Sequence, residues 1–135
     1  MKTKIIVLLL AVLVWLPSYQ QTTSDASEVK KGMIKVTLLY PNGEGKTFDM
    51  DYYANKHMPM VASLLGGSMK FFKIDEGIAG RTPDEPIPYL AIGYLFFDKL
   101  SDYEDSFGPN AQKIVGDIPN YTNIQPVLQI SKVLQ

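Results

Sequence analysis

The sequence predicts an α+β domain whose elements follow the order β-α-β-β-α-β. Four short segments rich in apolar, β-branched and aromatic residues lie between residues 34 and 133, as expected for strands. Two other segments carry apolar residues at spacings of three and four, which is typical of one buried helix face. Clusters of Gly, Pro, Asn and Asp separate these six segments, so each boundary has a turn signal.

The first strand and first helix are predicted from residues 34–40 and from about residue 50. The strand alternates in hydrophobicity and stops at the turn sequence Pro41-Asn42-Gly43. Asp49 is the predicted N-cap, because its carboxylate can accept from the first free backbone N–H groups of a helix. The helix should end at Leu65-Gly66-Gly67. Its predicted inner face comprises Met50, Tyr53, His57, Met60 and Leu64.

A proline lies inside this helix, two residues after His57. Pro59 cannot donate to the carbonyl of Asn55, so a kink is predicted beside the histidine. A carbonyl freed by the kink would be available to orient the imidazole. Alternatively, the kink serves only to bend the helix over a twisted sheet.

The second half of the domain is predicted to hold two strands, a helix and a final strand. The second strand covers residues 69–74, and the third covers residues 89–97 and has no charged residue. Asp98 is the predicted cap of the second helix, which Gly108-Pro109 should interrupt before it resumes over residues 110–115. The last strand is predicted at about 124–133, with Pro126 near a sheet edge or at the strand start.

This order is that of a split βαβ, or ferredoxin-like, domain: a four-stranded antiparallel sheet with two helices on one face. The third strand is apolar on both sides, with Leu90, Ile92, Tyr94 and Phe96 on one and Tyr89, Ala91, Leu95 and Phe97 on the other. Two helices on one face leave the other face uncovered. An apolar surface of that kind marks an interface, so we predict a homodimer related by a twofold axis.

The N-terminal quarter of the chain, residues 1–32, differs in character from the rest. Residues 1–17 combine Lys2 and Lys4 with an apolar run over residues 5–16, as in a secretory signal peptide. The run is short for a bilayer span, and the alternatives are a buried N-terminal helix or an uncleaved anchor. Residues 18–32 are polar and are predicted to be a flexible linker, so the domain is assigned to residues 33–135. The mature protein is therefore expected to be periplasmic or extracellular and not membrane-bound.

Composition excludes several classes of function. The chain has no Cys, which rules out thiol nucleophiles, Cys-bound zinc and disulfides. From residue 33 onward it holds nine basic and twelve acidic residues with no Lys/Arg cluster, so nucleic acid is not a predicted partner. A single histidine and scattered carboxylates lack metal-ligand spacing, and no Gly-rich loop leads into a helix. No metal and no cofactor are predicted.

Several motifs resemble the EthD-like family of the dimeric α+β barrel superfamily. These are MIKVTLLYP at 33–41, FDMDYY at 48–53, HMPMV at 57–61 and DIPNYTN at 117–123, followed by Pro126. The resemblance implies two sheets packed face to face, with a cavity between sheet and helices in each subunit. The founding member is associated with bacterial degradation of ethyl tert-butyl ether beside an oxidising system, and relatives are often labelled reductases. Related barrels include isomerases, cyclases, dehydratases and cofactor-free oxygenases. An export signal is a departure from the family pattern and argues against a role coupled to cytoplasmic nicotinamide cofactors.

His57, Tyr53 and Asp117 are the candidate catalytic residues. His57 is the only histidine, and an imidazole with a pKa near about 6.5 suits acid–base chemistry at neutral pH. Tyr53 lies one turn earlier on the same face, and Asp117 follows the second helix. Tyr121 and Asn123 are the candidate substrate-binding residues at the cavity mouth. The alternatives are a histidine hydrogen-bonded for packing and a capped turn over residues 117–123.

Two functions follow from these observations. The first is a small exported enzyme acting on a small, apolar, oxygenated molecule, with His57 as proton shuttle; its chemistry would be acid–base, as in isomerases and dehydratases, or associated with an oxidoreductase. The second is a non-catalytic dimeric module that binds such a molecule or supports an oxidative degradation system. Further polar groups around His57 in the cavity would favour chemistry, and a dry cavity would favour binding.

Overall fold

The computed structural model describes residues 28–135 and has the predicted order of strands and helices. The expected signal peptide, residues 1–17, and residues 18–27 of the expected linker lie outside this range. The strands are β1 (Ile34–Pro41), β2 (Met69–Glu76), β3 (Tyr89–Phe97) and β4 (Val127–Lys132). The helices are α1 (Met50–Tyr52), which continues through a π-helical turn (Tyr53–His57) into α2 (Met58–Leu65), and α3 (Leu100–Gly116). Short 3₁₀ turns lie at Gly66–Ser68 and Ile118–Asn120.

The four strands form one antiparallel sheet in the order β2-β3-β1-β4, which confirms the ferredoxin-like fold. Val36 lies opposite Leu95 on one side and Ile130 on the other. β4 is an edge strand and begins directly after Pro126, as the missing N–H of a proline requires. It is shorter than predicted, starting at Val127 instead of residue 124.

The core lies between one sheet face and the helices. Val36, Tyr40, Leu95 and Phe97 from the sheet pack in one buried cluster with Tyr53, Met58, Val61 and Leu65 from the first helical segment. Asp49 caps that segment as predicted, since its Oδ1 accepts from the Tyr52 N–H at 2.9 Å.

The predicted inner face of the first helix is wrong beyond His57. A π-helical turn holds one more residue than an α-helical turn, so the face that follows it is displaced by one position. The buried residues after His57 are therefore Met58, Val61 and Leu65, whereas Met60 and Leu64 are only half-buried. Pro59 is the second residue after the π turn and lies in the first turn of α2, where its missing N–H is tolerated.

Two predictions for the second helix are also wrong. α3 runs through Gly108-Pro109 without interruption. The Asn110 amide bridges this point by donating to the carbonyls of Ser106 at 2.8 Å and Leu64 at 3.3 Å, and so ties α3 to α2. The N-cap is Lys99 and not Asp98, because the Asp102 carboxylate accepts from the Lys99 N–H at 3.2 Å.

The second sheet face carries no helix among the described residues. Side chains alternate across a strand, so Lys35, Thr37 and Leu39 of β1 and Ile92 and Tyr94 of β3 point away from the core. Phe96 also lies on this side and is buried, with its ring stacked on Phe71 at 4.5 Å. An open groove of about 500 Å³ lies here, and His57 is not in it.

The described chain starts close to the sheet. The Gly32 N–H donates to the Val133 carbonyl at 2.8 Å, next to the ends of β1 and β4. Within residues 28–135, no helix combines the length and the hydropathy needed to cross a membrane.

Candidate functional site

His57 occupies the last position of the π-helical turn and is 4% exposed. Its Nδ1 lies 2.8 Å from Oδ2 of Asp117, a residue 60 positions later in the turn that follows α3. The π turn and the α3 C-terminus thus present the two side chains to each other beneath the sheet. The structure brings together two of the residues that the sequence singled out.

Asp117 is held by three donors. Its Oδ1 accepts from the Tyr52 hydroxyl at 3.0 Å and from the Asn120 amide at 2.8 Å, while Oδ2 faces His57. Burial alone would raise the pKa of Asp117, but the hydrogen bonds from His57, Asn120 and Tyr52 together lower it. The carboxylate is therefore charged at neutral pH and can only accept hydrogen bonds.

That carboxylate fixes the tautomer of His57. Because Asp117 only accepts, Nδ1 must carry the hydrogen, and Nε2 keeps its lone pair. Burial lowers the pKa of His57 and outweighs the opposing effect of Asp117. The imidazole is thus neutral at pH 7 and presents a basic nitrogen at Nε2.

Two tyrosines lie beyond Nε2. The Tyr121 hydroxyl is 3.4 Å from Nε2 and 2.9 Å from the Tyr40 hydroxyl. Burial raises the pKa of both tyrosines, so both keep their protons. The result is a chain of polar groups running from Asp117 through His57 and Tyr121 to Tyr40.

Tyr53 stacks on the imidazole. The two rings are 5.6 Å apart with an interplanar angle of 16°, and the Tyr53 hydroxyl is buried with no hydrogen-bond partner in the part of the chain that the structure describes. That hydroxyl lies over Gly93 of β3, where a Cβ atom would be only 2.2 Å from it. Gly93 therefore leaves the space that lets Tyr53 reach its depth beside His57.

A cavity of about 170 Å³ lies between the sheet and the helices and includes His57, Tyr53, Tyr121 and Tyr40 in its wall. The rest of the wall is mainly aliphatic and aromatic, with Val36, Leu38, Met58, Val61, Leu95, Phe107 and Ile114 among its members. Exposed residues at the end of α3 and the start of β4, including Val115, Gln125 and Leu128, form its mouth. The cavity beside His57 therefore adjoins the protein surface on this side.

The structure does not bring Asn123 to the cavity. Its side chain accepts from the Thr47 N–H at 3.0 Å and donates to the Gly45 carbonyl at 2.8 Å, so it holds the loop before α1. The suggestion that a carbonyl freed near Pro59 orients the imidazole is also not supported, because both ring nitrogens face side chains.

Tyr40 and Tyr52 are site residues that the sequence analysis missed. Tyr40 lies on the same, core-facing side of β1 as Val36, so its burial was predictable from the period of a strand. Its hydrogen-bond partner, Tyr121, was not predictable in this way. Tyr52 has no local signal, because its contact with Asp117 spans 65 residues.

Within residues 28–135, no group of three or more His, Asp or Glu side chains is arranged to hold a metal ion.

Comparisons with known proteins agree with this fold. A family model described as the EthD domain matches residues 42–125. The solved structure of an EthD-like protein from Ralstonia eutropha JMP134 is 39% identical, covers 78% of this chain and 96% of its own, and has a TM-score of 0.74. An ethyl tert-butyl ether d (EthD) family protein from Bacillus halodurans C-125 is 18% identical, with coverages of 76% and 99% and a TM-score of 0.51, a similarity of fold alone. No curated protein matches the chain.

The lowered pKa of His57 predicts that acid destabilises the fold. The unfolded chain binds a proton at His57 near its ordinary value of 6.5 while the folded chain does not, so the free energy of unfolding falls as pH drops below that value. The slope has an upper limit of about 1.4 kcal/mol per pH unit for one proton. The pKa of Asp117 is also lowered, so the free energy of unfolding falls further as the pH drops below 3.8, the ordinary pKa of that carboxyl group.

The measurement is thermal melting of wild type and His57→Asn between pH 7 and pH 5.5. Asn offers an N–H close to the Nδ1 position but does not titrate, and the chain has no other histidine. We expect the wild-type melting temperature to fall in this window and the variant's to stay nearly flat. A wild-type melting temperature that rises on acidification would contradict the direction of the pKa shift.

The contact between Gly93 and Tyr53 predicts a strong coupling between two substitutions. Gly93→Ala alone should cost about 1–3 kcal/mol, since the new methyl group overlaps the Tyr53 hydroxyl. In a Tyr53→Phe background the nearest ring carbon would be 3.5 Å from that methyl group, an ordinary contact, so the cost should largely vanish. Denaturant unfolding of the four proteins measures the coupling energy. An equal cost of Gly93→Ala in both backgrounds would show that another contact opposes the methyl group.

Proposed function

The chain belongs to the EthD family, and we propose that it is a small enzyme that moves a proton on a small, apolar, oxygenated molecule. The observation that carries the proposal is the state of His57: its Nδ1 is fixed by Asp117 at 2.8 Å, and its basic Nε2 lies at an accessible cavity. A histidine acting as general base must be unprotonated, oriented and within reach of its substrate, and a neutral imidazole held by Asp117 beside a cavity supports that role.

In the proposed reaction, Nε2 of His57 accepts a proton from a C–H group beside the ligand's oxygen function. The electron pair of that bond moves toward the oxygen, and the imidazolium keeps its Nδ1–H on the Asp117 carboxylate, whose charge stabilises it. The Tyr121 hydroxyl can donate to the ligand's oxygen while it accepts from Tyr40. The proton on Nε2 then returns to another carbon, which is isomerisation, or to a departing hydroxyl group, which is dehydration.

A ring ketone small enough for the cavity tests this chemistry. We expect the protein to accelerate conversion of cyclohex-3-en-1-one to cyclohex-2-en-1-one, followed by the ultraviolet absorbance of the conjugated product. His57→Asn should lose about 10²–10⁴-fold in rate, because it keeps an N–H for Asp117 but has no base at the Nε2 position. Ile78→Ala, in the exposed loop between β2 and β3, is the matched control. Equal rates in wild type and His57→Asn would favour the alternative, a non-catalytic binding or auxiliary module, which the largely apolar cavity wall also suits.

The uncovered sheet face supports a homodimer as part of the proposal. Leu39, Ile92 and Phe71 lie on that face, whereas Leu95 lies in the core, so a substitution at Ile92 probes the interface without entering the core. We expect wild type to sediment as a dimer at micromolar concentration and Ile92→Asp to sediment as a folded monomer. Ile78→Asp, at a side chain that is 89% exposed, is the control and should remain dimeric. A folded wild-type monomer would contradict the proposed interface.

Export is proposed from the sequence of residues 1–17 alone, which combine a basic start with an apolar run. Cell fractionation decides it: full-length protein that stays in the cytosol with Met1 intact would contradict an exported enzyme.

A further inference from the structure

We propose that the cavity beside His57 selects an uncharged ligand of about one substituted six-membered ring, which directs a weakly acidic O–H or C–H group at Nε2. This inference rests on the proposed function, because it takes Nε2 to be the atom that receives the ligand's proton. It adds the size, the charge and the hydrogen-bonding character of the ligand.

The size follows from the cavity. Its volume is about 170 Å³, and apolar protein cavities of about 150 Å³ are known to hold one benzene molecule. The aliphatic side chains of Val36, Leu38 and Val61 form much of the wall on the sheet and α2 sides. One ring with a small substituent fits this space, whereas a fused ring system would have to project through the mouth.

The charge follows from the wall residues. Among the described residues that line this cavity there is no Lys, Arg, Asp or Glu, and the imidazole of His57 is neutral. The Asp117 carboxylate lies directly behind the imidazole, 2.8 Å from Nδ1, and its charge is negative. An anionic ligand would leave water, find no counterion, and lie near a second anion, which is strongly unfavourable.

The hydrogen-bonding character follows from the two imidazole nitrogens. Nδ1 makes a short contact at 2.8 Å, but within residues 28–135 the only side chain that Nε2 meets is the Tyr121 hydroxyl, at 3.4 Å, beyond the usual range of a hydrogen bond. Nε2 is therefore a buried acceptor that is poorly satisfied by the protein. A ligand donor that displaces the long Tyr121 contact would satisfy it, and the displaced hydroxyl would remain available to the ligand's oxygen.

Three ring probes of similar size test the inference: phenol, anisole and benzoate, each titrated into the protein at pH 7 and followed by chemical-shift changes in NMR spectra. Phenol is neutral at this pH and can donate, anisole is neutral and cannot donate, and benzoate is an anion. We expect phenol to bind at least about 100-fold more tightly than benzoate. The phenol-to-anisole affinity ratio should fall about 2–10-fold in His57→Asn, which removes the acceptor.

A charge placed at the mouth provides a second test. Leu128 lines the cavity and is 45% exposed, so Leu128→Lys adds an ammonium group where a ligand anion can approach it. Leu128→Lys should reduce the ratio of phenol affinity to benzoate affinity by about 2–5-fold, while the neutral Leu128→Gln should leave that ratio unchanged.

Each outcome decides the proposal. Benzoate binding as tightly as phenol, or none of the three rings binding at millimolar concentration, would overturn it. Failure here is distinguishable from failure of the proposed function. Benzoate binding as tightly as phenol, by a protein that still isomerises the ring ketone, overturns the ligand class proposed here and keeps the catalytic proposal. Selective phenol binding by a protein without isomerase activity removes the catalytic proposal and keeps the ligand class.

Discussion

The hydrogen bond between His57 and Asp117 is the interaction on which the site depends. It joins the first helical segment to the turn after α3 across 60 residues, at a point where both side chains are largely removed from water. A buried carboxylate is tolerated only when donors surround it, and here Tyr52, Asn120 and His57 do so. The same three contacts fix the position of the turn at Asp117–Asn120 against the helix. The hydrogen bonds that stabilise the Asp117 carboxylate are therefore the same ones that set the position of the α3 C-terminus relative to the first helical segment.

The π-helical turn is what allows His57 to meet this constraint. It ends at His57, and its extra residue displaces the buried face by one position, so that the buried series continues from His57 through Met58 to Val61 and Leu65. Met58 packs in the core cluster, and His57 lines the cavity. Pro59 comes two residues after His57 and cannot donate the backbone hydrogen bond that a regular α-helix would require there, so the sequence favours an irregular turn at this position.

The features that the sequence predicted are those with local causes. A few neighbouring residues determine the alternation of the strands, the N-cap at Asp49 and the end of the first helical segment at Gly66-Gly67. The order of the elements and the inward position of His57 follow from these local features. The displaced helix face depends on one extra residue in a turn, which hydrophobic spacing alone does not reveal. α3 continues through Pro109 because Asn110 reaches a carbonyl of α2, a tertiary contact without a sequence signature. Asn123 was assigned to the cavity from its place in a motif, but its loop contacts hold it elsewhere.

The energetics of the core show how a packing role for His57 compares with the proposed chemical one. A polar network of Asp, His and Tyr in an apolar interior is at best neutral for stability, since well-packed hydrophobic residues often replace buried ion pairs without loss. The adjoining cavity of about 170 Å³ adds a further cost, because the side chains in its wall lose the packing contacts that a filled core would give them. The cavity lies beside Nε2, which has no close hydrogen-bond partner among the described residues. The unfilled space and the poorly satisfied acceptor are therefore found at the same atom. A histidine kept only for packing would have short contacts at both nitrogens and no space beside it. Stability alone gives no reason for this combination, whereas a ligand that fills the space and donates to Nε2 removes both costs at once.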